Sequence, residues 1–312
     1  MAAFTAGNIV VYRVGTGTGS LSSAATAVFL DEYTTSGVLV QSLAMPTADN
    51  GANQTLTASG SASSEGELNL SADGQYLVLA GYDAAPGTAS VAGTTSANVA
   101  RVVALVSASG VIDTTTALTD AGSGNNIRAA EADGNGIWVA DASDGLRYAT
   151  LGATTSTQIS TTNTNLRDVE IFNSQLYVSS GSGSVVHLGT VGTGEPTTGS
   201  QTIKTLPGIP ASGSQYGFYL ADLSNSVAGV DTLYVADDSA GITKYSLVGG
   251  SWVSNGVVGK GSDAYRGLTG KVNGDGSVTL FATGGGNKLV MLTDASGYNG
   301  AFAGSVTTIA TA

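Results

Sequence analysis

Asn126-Ile127-Arg128, then Ala132-Asp133-Gly134, then Ile137-Trp138-Val139-Ala140-Asp141 is the stretch that decides the fold. A polar residue opens a short strand, an Asp-Gly pair supplies a turn, and a second, more apolar strand follows. Asp-Gly favours tight hairpins because its residues tolerate φ > 0. A strand apolar at successive positions, as Ile137 to Ala140 is, is one buried on both faces.

The same grammar recurs four more times. Upstream stand Glu67-Leu68-Asn69-Leu70, Ala72-Asp73-Gly74 and Tyr76-Leu77-Val78-Leu79-Ala80. Downstream come Asn165-Leu166-Arg167-Asp168-Val169, Asn173-Ser174 and Leu176-Tyr177-Val178-Ser179. A fourth copy pairs Tyr216-Gly217-Phe218-Tyr219-Leu220 with Leu233-Tyr234-Val235-Ala236-Asp237 across a longer loop. The fifth is Ala264-Tyr265-Arg266-Gly267-Leu268, Asn273-Gly274-Asp275-Gly276 and Val278-Thr279-Leu280-Phe281-Ala282. Third strands are predicted over 99–106, 146–151, 185–191, 242–247 and 288–292, each followed by a looser Thr- and Val-rich segment. The N-terminus enters the unit late, with a second strand at 8–14, a third at 27–32 and a fourth at 38–45.

Repeats of roughly 40 to 60 residues, each of four short strands, are the size and content of propeller blades. No apolar stripe at helical spacing persists. The expected fold is all-β, a single β-propeller domain over 1–312 with about six four-stranded blades near 1–60, 61–120, 121–163, 164–210, 211–260 and 261–312. A β-solenoid would have shorter repeats, and two β-sandwiches would have none. The first blade lacks an innermost strand, so closure needs one from Ala3 to Asn8 or leaves it missing, while 305–310 is read as an outer strand.

Composition narrows the function. Only 11% of the 312 residues are charged, 42% are hydrophobic, and Gly occurs 45 times. The apolar share argues against disorder. Eleven scattered Lys and Arg in a chain of net charge −12 exclude the clustered basic surface that nucleic acid requires. With no cysteine there is no disulfide framework and no thiol chemistry. No apolar run is long enough for a membrane-spanning helix, so no membrane insertion is expected. Met1-Ala2-Ala3-Phe4 lacks the features of a signal peptide, and low Lys, absent Cys and abundant Thr, Ser and Gly favour a mature secreted form with an added Met.

Several segments carry a resemblance: Gly7-Asn8-Ile9-Val10-Val11-Tyr12-Arg13-Val14-Gly15, Ala27-Val28-Phe29-Leu30-Asp31-Glu32-Tyr33, Tyr234-Val235-Ala236-Asp237-Asp238 and Thr293-Asp294-Ala295-Ser296-Gly297-Tyr298-Asn299-Gly300. Through them the chain resembles uncharacterised bacterial extracellular proteins with β-propeller repeats. The resemblance implies fold, secretion and a further short strand carrying an Arg-Gly pair like Arg266-Gly267 to complete the first blade. It implies no activity.

The sharpest candidate site is Arg128, Arg167 and Arg266, each next to an apolar residue in an inner-strand motif. Inner strands line a propeller's axis, so these arginines form a candidate axial anion site for a small anionic ligand. The alternative is structural: arginines bridging neighbouring blades by pairing with Glu131, Asp168 or Glu170, or with carbonyls. Asp133-Gly134, Asp141 with Asp144, Asp237-Asp238 and Asp275-Gly276 could offer oxygens to Ca²⁺, but turn chemistry explains them, and no cofactor and no metal site is expected. His187 is the single histidine, read as mid-strand, and Gly181-Ser182-Gly183-Ser184 is read as a turn, so a catalytic triad is not expected. Tyr76, Trp138, Tyr177, Tyr234 and Phe281 share one register and read as inter-blade core rather than a glycan platform.

No catalytic residue is therefore assigned. The expected function is an extracellular, non-enzymatic binding or structural scaffold module. Its partners would be a small anion, a glycan, or a protein or second copy held through an unpaired blade edge. The competing expectation is a propeller hydrolase or lyase that binds an anionic substrate at the axial channel, with Glu67 or Glu170 as base.

Overall fold

The computed structural model describes residues 2–181 and 187–311. They form β-strands with two single-turn 3₁₀ segments, and the chain has a β-propeller fold built from antiparallel meanders. The N-terminal meander is β1 (Ile9–Val14), β2 (Ala25–Tyr33) and β3 (Leu39–Ala44). A short β4 (Thr57–Ser59) pairs with β2 and links it to the second meander, β5 (Leu68–Leu70), β6 (Tyr76–Tyr82), β7 (Arg101–Ser107) and β8 (Ile112–Leu118).

Four four-stranded sheets follow in simple order. The first is β9 (Ile127–Asp133), β10 (Gly136–Asp141), β11 (Leu146–Thr150) and β12 (Thr157–Ser160). Next come β13 (Leu166–Phe172), β14 (Gln175–Ser180), β15 (Leu188–Val191) and β16 (Ile203–Thr205). Then come β17 (Gln215–Ala221), β18 (Thr232–Asp237), β19 (Gly241–Val248) and β20 (Ser251–Val258). The last is β21 (Leu268–Val272), β22 (Val278–Gly284), β23 (Lys288–Asp294) and β24 (Thr307–Thr311).

The expected second strands and turns are where the sequence put them. Gly134 closes the β9–β10 hairpin at φ 53°, and Asn173 and Ser174 turn β13 into β14 at φ 47° and 55°. The N-terminal segments are second, third and fourth strands of an incomplete meander. Residues 3–8 form no strand, and among the described residues β1 pairs only with β2. The bridging strand β4 had no counterpart in the expected repeat. Of the third strand expected at 185–191, residues 185 and 186 lie outside the described residues, as does most of the Gly181–Ser184 turn.

The chain divides into two compact units, Met1–Ile171 with Glu195–Thr202, and Phe172–Gly194 with Ile203–Ala312. In the first, the second meander is covered on both faces. Val78, Ala80, Val103 and Leu105 pack with Ile127, Ala130, Ile137 and Val139 of the third meander. The alternate residues Leu79, Val102, Ala104 and Val106 pack with Val28, Leu30, Leu56 and Ala58 on the other side. This two-sided burial is why β6 and β7 read as unbroken apolar runs.

The second unit repeats the device. Leu233 and Val235 of β18 join Tyr177, Leu188, Leu206 and Trp252, while Tyr234 and Ala236 join Leu268, Val278, Leu280 and Leu292. A fully buried ion pair crosses the latter layer: Lys244 Nζ lies 2.8 Å from Asp294 Oδ2, with no side-chain exposure on either residue. Lys244 also donates to Ser296 Oγ and to the Gly297 carbonyl, and the Tyr234 hydroxyl donates to Asp294 at 2.7 Å. Burial alone would raise the Asp294 pKa, but the Lys244, Ser296 and Tyr234 bonds hold it below the usual value.

Removing one partner of such a pair strands a buried charge, at a cost of about 3–5 kcal/mol. Lys244→Met is therefore expected to lower the urea-unfolding stability by about that amount. The double variant Lys244→Met, Asp294→Leu is expected to recover most of the loss. Equal stabilities for wild type and Lys244→Met would show that the pair contributes nothing.

Candidate functional site

Two of the three arginines that the sequence singled out stand on first strands, Arg128 on β9 and Arg167 on β13, whereas Arg266 lies two residues before β21. Arg128, on β9, is 6% exposed. Its Nη1 donates to Asn165 Oδ1 and to the Leu166 carbonyl, both at 2.6 Å, so it bridges from β9 to the start of β13. Arg167 stands on β13 in the same unit, partly buried. Arg266 belongs to the other unit, where its Nε and Nη2 donate to Asp238 Oδ2 at 3.3 and 3.1 Å. Its guanidinium lies over Tyr216, 5.1 Å from the ring centroid, and its carbonyl accepts the Gly217 N–H.

Acidic and amide side chains lace the first strands of unit 1 together. The Asn69 amide on β5 donates to the Ala130 carbonyl on β9, to the Val169 carbonyl on β13 and to Asp168 Oδ1. Glu131 on β9 accepts the Ala132 N–H at 2.7 Å and the Ile171 N–H at 3.3 Å. Asp168 and Glu170, two residues apart on β13, point to the same side and share a hydrogen bond.

Burial sets the protonation of this group. It pushes Glu131 up to about 8, against the pull of its two backbone bonds. It raises Asp168 to about 6, with Asn69, the Val169 N–H and Glu170 opposing. It drives Glu170 well above the ordinary range, helped by the nearby Asp168, Glu131 and Glu67 carboxylates. Carboxyls that cannot all be ionised in one dry place keep protons instead. Glu170 is then the donor and Asp168 the acceptor of their shared bond. Glu131 and Asp168 are thereby brought from the ordinary carboxyl range towards neutrality, where a general acid or base works.

The sequence named Glu131 and Asp168 as counter-ions for arginine, and Glu170 both as a counter-ion and as a base in the competing enzyme reading. It missed Arg101 altogether. Arg101, the first residue of β7, is fully buried and stacks over the Tyr82 ring at 4.8 Å. It donates to the carbonyls of Gly122, Thr94 and Val99 at 2.7 to 2.8 Å. Tyr82 in turn donates to Glu65, which also accepts the Asn126 amide. The one available signal was a charge at the head of the apolar run Arg101-Val-Val-Ala-Leu-Val.

His187, 2% exposed, lies just before β15 rather than within it, and its Nδ1 is 2.7 Å from Gln215 Oε1. Gln215 reaches Asp237. Asp141, Asp237 and Asp275 accept N–H groups of their own turns, from Ser143, Ser239 and Ser277. Among the described residues no group of three or more acidic or histidine side chains is placed to hold a metal ion. Trp138, Tyr177, Tyr234 and Phe281 are buried, and Tyr76 is partly so. Among the described residues no helix is long and apolar enough to cross a membrane.

No family model matches the sequence, and no curated protein matches it. Solved structures do match. The periplasmic gluconolactonase of Pseudomonas aeruginosa aligns over 96% of this chain and 82% of its own, with TM-score 0.50 and 11% identity. The extracellular domain of a putative one-component system of B. thetaiotaomicron aligns over 93% of this chain and 32% of its own, with TM-score 0.41 and 13% identity. The β-propeller domain of Myceliophteria thermophila Cps50 (Swd1) aligns over 73% and 64%, with TM-score 0.42 and 11% identity. The first likeness supports the fold; identities this low carry no activity.

The carboxyl cluster makes stability depend on pH in a defined direction. Its folded pKa values lie above the ordinary ones, so the folded chain keeps protons that the unfolded chain has already lost. Its contribution is greatest below about pH 4 and falls as the pH rises towards about 8. Urea unfolding is expected to show higher stability at pH 5.5 than at pH 8.5, by on the order of a few kcal/mol. Glu170→Gln keeps a donor to Asp168 without a titrating group and is expected to narrow that difference. An unchanged difference would place the titration elsewhere.

Proposed function

We propose that the chain is an extracellular, non-enzymatic binding or scaffold module of propeller type. The observation that carries this reading is the use of the first-strand polar groups. The Asn69 amide, the Arg128 Nη1 and the Glu131 Oε2 bond to the backbone or side chains at neighbouring first strands, while Glu131 Oε1 accepts the N–H of Ala132 on its own strand. Groups held this way brace a rigid framework. An extracellular address accords with the cysteine-free, Thr-, Ser- and Gly-rich composition.

A second reading is favoured by one feature, the proton-sharing Asp168–Glu170 pair. It would make the chain a hydrolase or lyase acting on an anionic substrate, with Arg128 and Arg167 as binding groups and Glu170 as acid or base. A gluconolactonase shares the fold. The scaffold reading expects no turnover of sugar lactones or anionic esters above the uncatalysed rate between pH 6 and 8. Turnover that Glu170→Gln abolishes while unfolding at the same temperature would establish the enzyme instead.

A panel of carboxylates, phosphates and sugars in a thermal scan separates binding from scaffolding. A ligand at a hundred times its Kd adds about 2.7 kcal/mol, a shift of about 4 °C or less in a chain this long. Arg167→Gln is expected to remove any shift given by an anion. A shift that survives this change would place the anion elsewhere.

A further inference from the structure

We propose that Asn50 is the place where this chain modifies itself: its side chain closes on the Gly51 nitrogen and is converted, without an enzyme, to aspartate or isoaspartate. The proposal stands apart from both the scaffold and the hydrolase readings. Five Asn-Gly pairs occur in the sequence, at 50–51, 135–136, 255–256, 273–274 and 299–300. Glycine after asparagine favours the reaction because it has no Cβ to crowd the attacking nitrogen.

The chemistry needs only water. The Gly51 nitrogen gives up its proton and adds to the Asn50 Cγ. The Cγ–Nδ2 bond then breaks, and ammonia leaves carrying that proton. The five-membered imide left behind takes up one water and opens at either carbonyl. Opening at Cγ gives an ordinary aspartate; opening at the backbone carbonyl gives isoaspartate, with the chain running through Cγ. Two structural conditions follow. The asparagine side chain must be able to swing back onto its own backbone, and the next N–H must not be spent in a hydrogen bond.

Four of the pairs fail these conditions. The Asn255 Oδ1 accepts the Ser246 hydroxyl at 2.6 Å while its amide donates to Asn299 Oδ1 at 3.1 Å, so one bond holds both side chains. The Gly256 N–H donates to Ser254 Oγ and the Gly300 N–H to the Gly297 carbonyl, each at 3.4 Å. The Asn273 amide donates to Ser277 Oγ and Thr279 Oγ1, both at 2.9 Å. Gly136 opens β10 and is paired with β9 on one side and β11 on the other, which fixes its backbone in the sheet.

Asn50 and Gly51 meet both conditions. Among the described residues neither the Asn50 side chain nor the Gly51 N–H has a hydrogen-bond partner, and residues 50–52 are exposed. Gly51 has φ 65°, with nothing within 4 Å of where a Cβ would stand. The loop around the pair is nevertheless fixed. Asn50 and Asn53 exchange backbone bonds at 2.9 and 3.1 Å, and Asp49 accepts the Thr55 N–H and hydroxyl. Asn53 Oδ1 accepts the Thr114 N–H at 2.7 Å, which ties the loop to β8. Isoaspartate adds one atom to the backbone of this turn and so loosens the tie. Aspartate adds only a charge, to a chain of net charge −12.

The test keeps the whole chain in mildly alkaline buffer made with water enriched in heavy oxygen, then digests it and reads the peptides by mass spectrometry. Label enters only at residues converted during the incubation. In the folded chain Asn50 is expected to convert at least about tenfold faster than each of the other four, which must first break the bonds that hold them. In urea, where no fold protects any pair, the five rates are expected to converge. Asn50→Gln is expected to remove the fast conversion and leave the unfolding temperature unchanged. The isoaspartate fraction is expected to exchange faster at the Asn53 and Thr114 amides while β10 stays protected. Conversion at Asn50 no faster than at another pair would overturn the proposal, as would fast conversion that persists in Asn50→Gln. A spread of rates in urea as wide as in the folded chain would also overturn it, by assigning the difference to sequence alone. Unchanged exchange at Asn53 and Thr114 would overturn the loosened turn.

Discussion

Each meander has two apolar faces and can bury neither alone. A fully buried Val or Leu gains roughly 1.5–3 kcal/mol over an exposed one, so a strand such as β6 gains fully only when both faces are covered. Val78 and Ala80 feed one core while Leu79 feeds another. In the second unit Val235 and Tyr234 divide in the same way. Successive meanders therefore stack face to face within each unit, and the sequence shows this as apolar runs without alternation.

Stacking brings first strands side by side, and their polar groups must then satisfy one another. Asn69, Arg128 and Glu131 do so by reaching across to the backbone of the next strand. The carboxyls face a different problem, since several close together in a dry place cannot all be charged. Glu131 and Glu170 resolve it by keeping protons at neutral pH. Lys244 and Asp294 solve the same problem by opposite means, with a compensated ion pair enclosed by Ser296, Gly297 and Tyr234.

The fold was legible because its signals are local. Asp133-Gly134 and Asn173-Ser174 mark hairpins, and Ile137 to Ala140 marks a strand covered twice; all three stand in the structure. The incomplete N-terminal meander was legible too, since the repeat grammar starts at its second strand. The site was less so. Arg128, Arg167 and Arg266 share a motif in the sequence, but the partners of Arg128 and Arg266, Asn165 and Asp238, stand 37 and 28 residues away. The Asn69–Asp168 bond joins residues 99 apart, and no local pattern announces it. Arg101 was hidden because its partners are backbone carbonyls, which any sequence supplies. The linking strand β4 is only Thr57–Ser59, too short to show a period.

The central claim is that the polar lacing of β5, β9 and β13 is part of the framework and not a mobile site. Native-state hydrogen exchange on the amides of residues 127–132 and 166–171 tests it most directly, because it reads the opening energy of each strand separately. A framework predicts that these amides exchange as slowly as those of the apolar second strand 136–141, opening only with it. Fast exchange along β9 and β13 while β10 stays protected would contradict the claim, and would mark the first strands as a locally opening site.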